Sequence, residues 1–64
     1  MPMIKVEMFS GRTLEQKRAL VRELTDAFVR TAGGTPEAVQ IVLRDVEKSD
    51  WAGAGVLKSE VKPE

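Results

Sequence analysis

The chain opens Met1-Pro2 and contains no His, no Cys and no Tyr. An initiator Met followed by a residue as small as Pro is normally removed, so the mature chain is expected to begin with a free proline whose nitrogen is a secondary amine. An α-amino group titrates near pH ~7.7–8.0 when unperturbed, and modest desolvation or a nearby cation leaves it neutral at physiological pH. With the other near-neutral groups absent, Pro2 is the one group whose unperturbed pKa lies close to the optimum for a general base. The competing role of the same residue is structural: a proline that stiffens the first position of a strand. Two further residue types with chemistry to offer are a turn arginine, Arg12, and a lone tryptophan, Trp51. Each has an equally simple structural alternative, an exposed turn for Arg12 and core or interface filling for Trp51.

The elements that must position these residues are legible from periodicity. Residues 2–9 alternate, with Ile4, Val6 and Met8 on one face and Met3, Lys5, Glu7 and Phe9 on the other, which predicts a strand. Proline at its opening position forfeits no important ladder bond. Ser10-Gly11-Arg12 forms the turn out of it. Thr13 and Gln16 then fit a capping box. The helix that follows carries Leu14, Leu20, Val21, Leu24, Ala27, Phe28 and Thr31 or Ala32 on one stripe, with Lys17, Arg18, Arg22, Glu23 and Arg30 mostly away from it. Gly33-Gly34 ends the helix by supplying unhindered positive φ.

Thr35-Pro36-Glu37 predicts a second, very short helical turn with Pro36 in its first turn. Residues 39–46 form the next strand, with Val39, Ile41 and Leu43 facing one way and Gln40, Val42, Arg44 and Val46 the other. A strand, a helix and a strand with a crossover of this length predict a right-handed β-α-β unit with two parallel strands. The Gly/Ala-rich segment Trp51-Ala52-Gly53-Ala54-Gly55-Val56 is expected to form a small C-terminal hairpin reaching a neighbouring subunit. Residues 58–64 read as a polar tail, ordered only if a partner holds it. The fold class is therefore α/β (α+β), one domain over residues 1–64.

Composition limits what such a chain can be. At 64 residues with zero Cys and zero His, there is too little interior for a deep pocket and neither a disulfide nor a zinc site to staple the fold. Oligomerisation is the staple that remains. Ten basic and ten acidic residues balance, which argues against nucleic acid or an anionic membrane as partner. No apolar run approaches the roughly 18 residues of a membrane span, and no secretory segment follows Met1. The chain reads as cytoplasmic and self-associating.

Pro2 directly after Met1, the run Gly11-Arg12-Thr13 with Glu15-Gln16-Lys17 behind it, and an aromatic in a Gly-rich segment at Trp51 resemble the 4-oxalocrotonate tautomerase family. The resemblance covers the chain from Pro2 to about Leu57. It implies a β-α-β protomer that dimerises, with dimers assembling into a homohexamer, a trimer of dimers. It also implies an amino-terminal proline that shuttles a proton between oxygen and carbon in enols of 2-oxo acids, without metal or organic cofactor. By the same resemblance Arg12 binds a substrate carboxylate, reaching in from a neighbouring protomer, and Trp51 matches the aromatic that walls the site. The guanidinium fork suits a carboxylate on physical grounds as well.

The chain departs from the family at Gln40, which stands where the family carries a second arginine. An amide hydrogen-bonds a carbonyl or carboxylate but brings no charge, and charged hydrogen bonds are roughly twice as strong as neutral ones. Arg44, four residues on along the same strand face, lies about 13 Å away at a rise of ~3.3 Å per residue, so it reaches the site only if another subunit presents it. A monoacid enol, such as 2-hydroxy-2,4-pentadienoate or phenylenolpyruvate, is thus expected as substrate rather than the diacid 2-hydroxymuconate. Two other readings stand beside this one. The scaffold could hydrate or dehalogenate unsaturated acids, or it could be a non-catalytic or heteromeric assembly subunit whose partner supplies the missing arginine.

Overall fold

The structure, a computed structural model, describes residues 2–61. Its centre is a two-stranded parallel sheet of β1 (Met3–Phe9) and β2 (Gln40–Val46), joined by the helix α1 (Leu14–Ala32). The register runs from Met3 opposite Gln40 to Phe9 opposite Val46. Backbone bonds extend the pairing at both ends, from the Gln40 N–H to the Pro2 carbonyl and from the Ser10 N–H to the Val46 carbonyl, both 3.0 Å. The β-α-β unit expected from the alternation is present.

Sequence signals fix the helix ends. Thr13 accepts from the Gln16 N–H at 3.1 Å while the Gln16 side chain accepts from the Thr13 N–H at 2.8 Å, which closes the capping box. Gly33, with φ of 88°, returns its N–H to the Val29 carbonyl at 3.0 Å. The turn at Pro36–Ala38 forms as expected, and its last hydrogen bond takes the Val39 N–H. Val39 therefore caps that turn, and β2 begins one residue later than its sequence pattern predicts.

Half-buried positions alternate along the strands (Ile4, Val6 and Met8 with Ile41 and Leu43) and recur along α1 at Leu20, Val21, Leu24, Ala27 and Phe28. The helix is fastened over this sheet face by Lys17, whose Nζ lies 2.5 Å from Asp45 Oδ2. Lys17 is thus a tether rather than a solvated residue of the outer stripe. Leu14, expected on the apolar stripe, is 62% exposed, because capping places the first turn beyond the sheet. Thr31 and Ala32 are exposed at the other end.

After β2 the chain makes a turn at Lys48–Asp50 and then a hairpin of β3 (Ala52–Gly53) and β4 (Val56–Leu57). Ala54 and Gly55 form its two-residue loop, both with positive φ (54° and 79°), the handedness that matches strand twist in tight hairpins. A further turn at Lys58–Glu60 follows, with the Lys58 N–H donating to the Trp51 carbonyl at 2.7 Å. The first part of the expected free tail is therefore folded back onto the chain; residues 62–64 lie outside the described residues.

What the protomer lacks is an interior. Among the described residues, none is fully buried. The accessible surface is 5198 Å², whereas a compact monomer of this mass should expose about 4,100 Å². The radius of gyration is 15.1 Å, against about 11 Å for a compact domain of this length. Among the described residues no helix is long and apolar enough to cross a membrane.

Candidate functional site

Parallel pairing sorts the sequence-predicted residues into two groups at opposite ends of the sheet. Pro2 and Gln40 lie together where the strands begin, joined by the backbone hydrogen bond of 3.0 Å between the Gln40 N–H and the Pro2 carbonyl. Gln40 itself is exposed, and Pro2 is half-buried. Gln40 opens β2 as its first residue, so its side chain is the register neighbour of Met3 beside the proline. Met1, whose removal would free the proline nitrogen, lies outside the described residues.

Arg12 and Trp51 lie together where the strands finish. Arg12 Nη1 donates to the Phe9 carbonyl at 3.0 Å, which holds the guanidinium against the last residue of β1. Phe9 in turn stacks on Trp51, with ring centroids 4.5 Å apart and planes tilted by 58°. Lys48 Nζ sits 5.7 Å from the Phe9 ring centre, a cation–π distance. A groove of about 270 Å³ opens here, lined by Glu7, Val46, Asp50, Trp51 and Ala52. The part played by Phe9, as both the carbonyl that holds Arg12 and the ring that holds Trp51, is not marked by the strand alternation. The available signal was an aromatic in the last strand position before an arginine-bearing turn.

Arg44 lies between the two groups on the open sheet face, opposite Glu7 in the register. It lines a second groove of about 250 Å³ with Lys5, Val6, Glu7 and Val42. Within one protomer, then, the candidate base and the candidate carboxylate-binding arginine do not meet. Seven steps of strand separate Pro2 from Phe9, roughly 23 Å at ~3.3 Å per residue. A substrate touching both must lie between two chains.

The family model for tautomerase enzymes matches residues 2–60, nearly the whole chain and starting at the proline. The chain belongs to the tautomerase family. A probable tautomerase of Ralstonia nicotianae is 40% identical over 60 residues, covering 94% of this chain and 92% of its own length. Among solved structures, a homologue of 4-oxalocrotonate tautomerase superposes with a TM-score of 0.91 at 36% identity, covering 95% of this chain and all of its own. A heterohexameric 4-oxalocrotonate tautomerase from Chloroflexus aurantiacus superposes with a TM-score of 0.89 at 26% identity, over 97% of this chain and all of its own. The tautomerase fold, the parallel β-α-β unit with its C-terminal hairpin, is thus common to this chain and its solved relatives.

Proposed function

We propose that this tautomerase acts, without a cofactor, on enols of 2-oxo acids in the cytoplasm, as a single-domain protomer within a homo-oligomer, a hexamer built as a trimer of dimers. Pro2, freed by removal of Met1, is its general base and acid. The proline nitrogen takes the proton from the enol hydroxyl; the O–H bond breaks and the C2=O bond forms. The displaced π pair then takes a proton from the prolinium at carbon, C3 of a simple enol or C5 of a dienol. The nitrogen ends as it began, so no other reactant is required. Arg12 grips the substrate carboxylate through its guanidinium fork and stabilises the negative charge that spreads over the dienolate. Trp51 walls the site and lowers the polarity around the amine.

The observation that carries this reading is the separation of Pro2 and Arg12 by the length of β1. A single protomer holds two half-sites, one basic and one cationic, and a second copy running in the opposite direction completes both. Gln40 beside Pro2 adds a neutral hydrogen-bonding group rather than a second cation, which favours substrates with one carboxylate, such as 2-hydroxy-2,4-pentadienoate or phenylenolpyruvate. Arg44 enters the site only if a further subunit presents it.

Subunit complementation tests the shared site. Pro2→Ala and Arg12→Ala proteins, each nearly inactive alone, should regain phenylenolpyruvate tautomerase activity when unfolded together and refolded as a mixture. A mixture no more active than its components would contradict a site shared between chains.

A second reading, a heteromeric assembly subunit, is favoured by the uncharged Gln40 and by the heterohexamer among the solved relatives. It predicts that the purified chain is inactive alone and gains activity only with a second tautomerase chain that carries an arginine at the corresponding position.

A further inference from the structure

The turn at Lys48–Asp50 leads from β2 to the hairpin, and its lysine is exposed. A lysine in such a turn is ordinarily a solvated charge. Glu47 and Asp50 stand close by in sequence, yet neither of the ion pairs among the described residues, Lys17 with Asp45 and Arg30 with Asp26, includes Lys48. Its Nζ lies instead 5.7 Å from the centre of the Phe9 ring. That ring stacks on Trp51 at 4.5 Å between centroids. Trp51 in turn donates its backbone N–H to the Lys48 carbonyl at 3.4 Å. The three residues close a circuit: ammonium on phenyl, phenyl on indole, and the indole residue back to the lysine main chain. Arg12 hangs on the same circuit, since its Nη1 donates to the Phe9 carbonyl at 3.0 Å.

We propose that Lys48 is a positioning residue for the Arg12–Trp51 half-site and acts through the Phe9 ring. The proposal rests on the reading of Arg12 and Trp51 as substrate contacts given above. β1 and β2 end together at Phe9 and Val46, and the last main-chain bond between them runs from the Ser10 N–H to the Val46 carbonyl at 3.0 Å. Beyond that bond one segment leaves towards Arg12 and the other towards Trp51. Side chains must brace the two segments from there on. The Phe9 ring is the brace, and the cation over it adds an electrostatic attraction that a neutral neighbour would not supply.

This matters for binding because Arg12 and Trp51 must meet one small substrate at once. Their spacing then sets how well a carboxylate and the body behind it are held, and a modest displacement weakens both contacts. Lys48 could also act on a substrate anion at long range, by charge alone. Such an effect would not need the ring, so removing the ring separates the two.

Steady-state kinetics on phenylenolpyruvate test this, read together with the emission of Trp51, the single tryptophan of the chain. Lys48→Met keeps the apolar stem and loses the charge. It should raise KM about two- to five-fold, the range expected of an exposed cation–π contact, with kcat little changed because binding rather than chemistry is weakened. The emission of Trp51 should shift with it. Lys48→Arg, which keeps a cation for the ring, should restore both readings. Phe9→Leu removes the ring but keeps the carbonyl that holds Arg12, and in that background Lys48→Met should change KM no further. The same loss with and without the ring would overturn the proposal and assign Lys48 a long-range charge effect. Arg12→Ala serves as the reference. An unchanged KM in Lys48→Met beside a raised KM in Arg12→Ala would overturn this proposal alone, whereas an unchanged KM in Arg12→Ala would overturn the reading of the half-site and this proposal with it.

Discussion

The Gln40 N–H donates to the Pro2 carbonyl at 3.0 Å, so the start of β2 holds the candidate catalytic residue in place through backbone alone. Position 40 can therefore vary in side chain without releasing the proline. Its exposed side chain lies at the same end of the sheet as Pro2, whereas the protomer's own Arg12 is held at the other end, against Phe9. In the proposed reading, holding the base and choosing the substrate would be separate tasks of one residue, its main chain doing the first and its side chain the second.

Gln40→Arg should shift preference from monoacid towards diacid enols. A new charge-assisted contact contributes about 1.5–3 kcal/mol, or roughly one to two powers of ten in relative kcat/KM. Arg12→Ala should instead weaken both substrate types, since each carries at least one carboxylate. Steady-state rates on phenylenolpyruvate and 2-hydroxymuconate measure both effects. An unchanged diacid-to-monoacid ratio in Gln40→Arg would mean that the side chain is turned from the substrate, and Arg44 of another subunit would become the better candidate cation.

The tether between α1 and the sheet should be measurable in stability. Lys17 and Asp45 are each partly shielded, at 28% and 37% side-chain exposure, so their pair is worth more than the few tenths of a kcal/mol of a fully solvated one. Lys17→Met should lower stability by about 1 kcal/mol, and adding Asp45→Asn should cost little more, because the interaction is already gone. Additive losses in denaturant unfolding would show that the two residues act independently.

Ala54 is a left-handed residue with a side chain, at φ of 54°. Its place in a two-residue hairpin loop before Gly55 suits asparagine, which tolerates that conformation far better. Ala54→Asn should stabilise the protein by about 0.5–1 kcal/mol. A lower thermal midpoint would mean that Ala54 makes a subunit contact which the longer side chain disturbs.

With no fully buried residue among those described and a radius of gyration of 15.1 Å, the protomer should depend on its neighbours for stability. The unfolding midpoint should rise with protein concentration by mass action. A midpoint that stays constant over a hundred-fold range of concentration would show a self-sufficient monomer.

Much of this was legible in the residues themselves. Strand alternation, the Thr13–Gln16 box and the paired glycines act over a few positions, so they fix local structure whatever surrounds them. Distant relationships were less accessible. Lys17 looked like an outer-face charge because nothing local reveals that Asp45, on the other side of the crossover, lies within reach. Phe9 looked like one more residue of the charged strand face until the turn after β2 brought Trp51 onto it. Leu14 fitted the apolar stripe by spacing, but a stripe has no knowledge of where the sheet beneath it ends. Pro2, Arg12 and Trp51 stand out in the sequence as candidates by type and position; their division between two ends of the sheet follows from parallel pairing and strand length.

The central claim is that the Pro2 nitrogen is the base, and intact mass measured alongside activity tests it most directly. Two preparations of the same sequence are needed, one with Met1 removed and one with Met1 retained by blocking the aminopeptidase. In the first, the proline nitrogen is a secondary amine with a lone pair to accept a proton; in the second it is a tertiary amide without one. The processed protein should ketonise phenylenolpyruvate and the unprocessed protein should show no catalysis, while both assemble alike. Equal rates in the two preparations, with their masses differing by one methionine, would contradict the account.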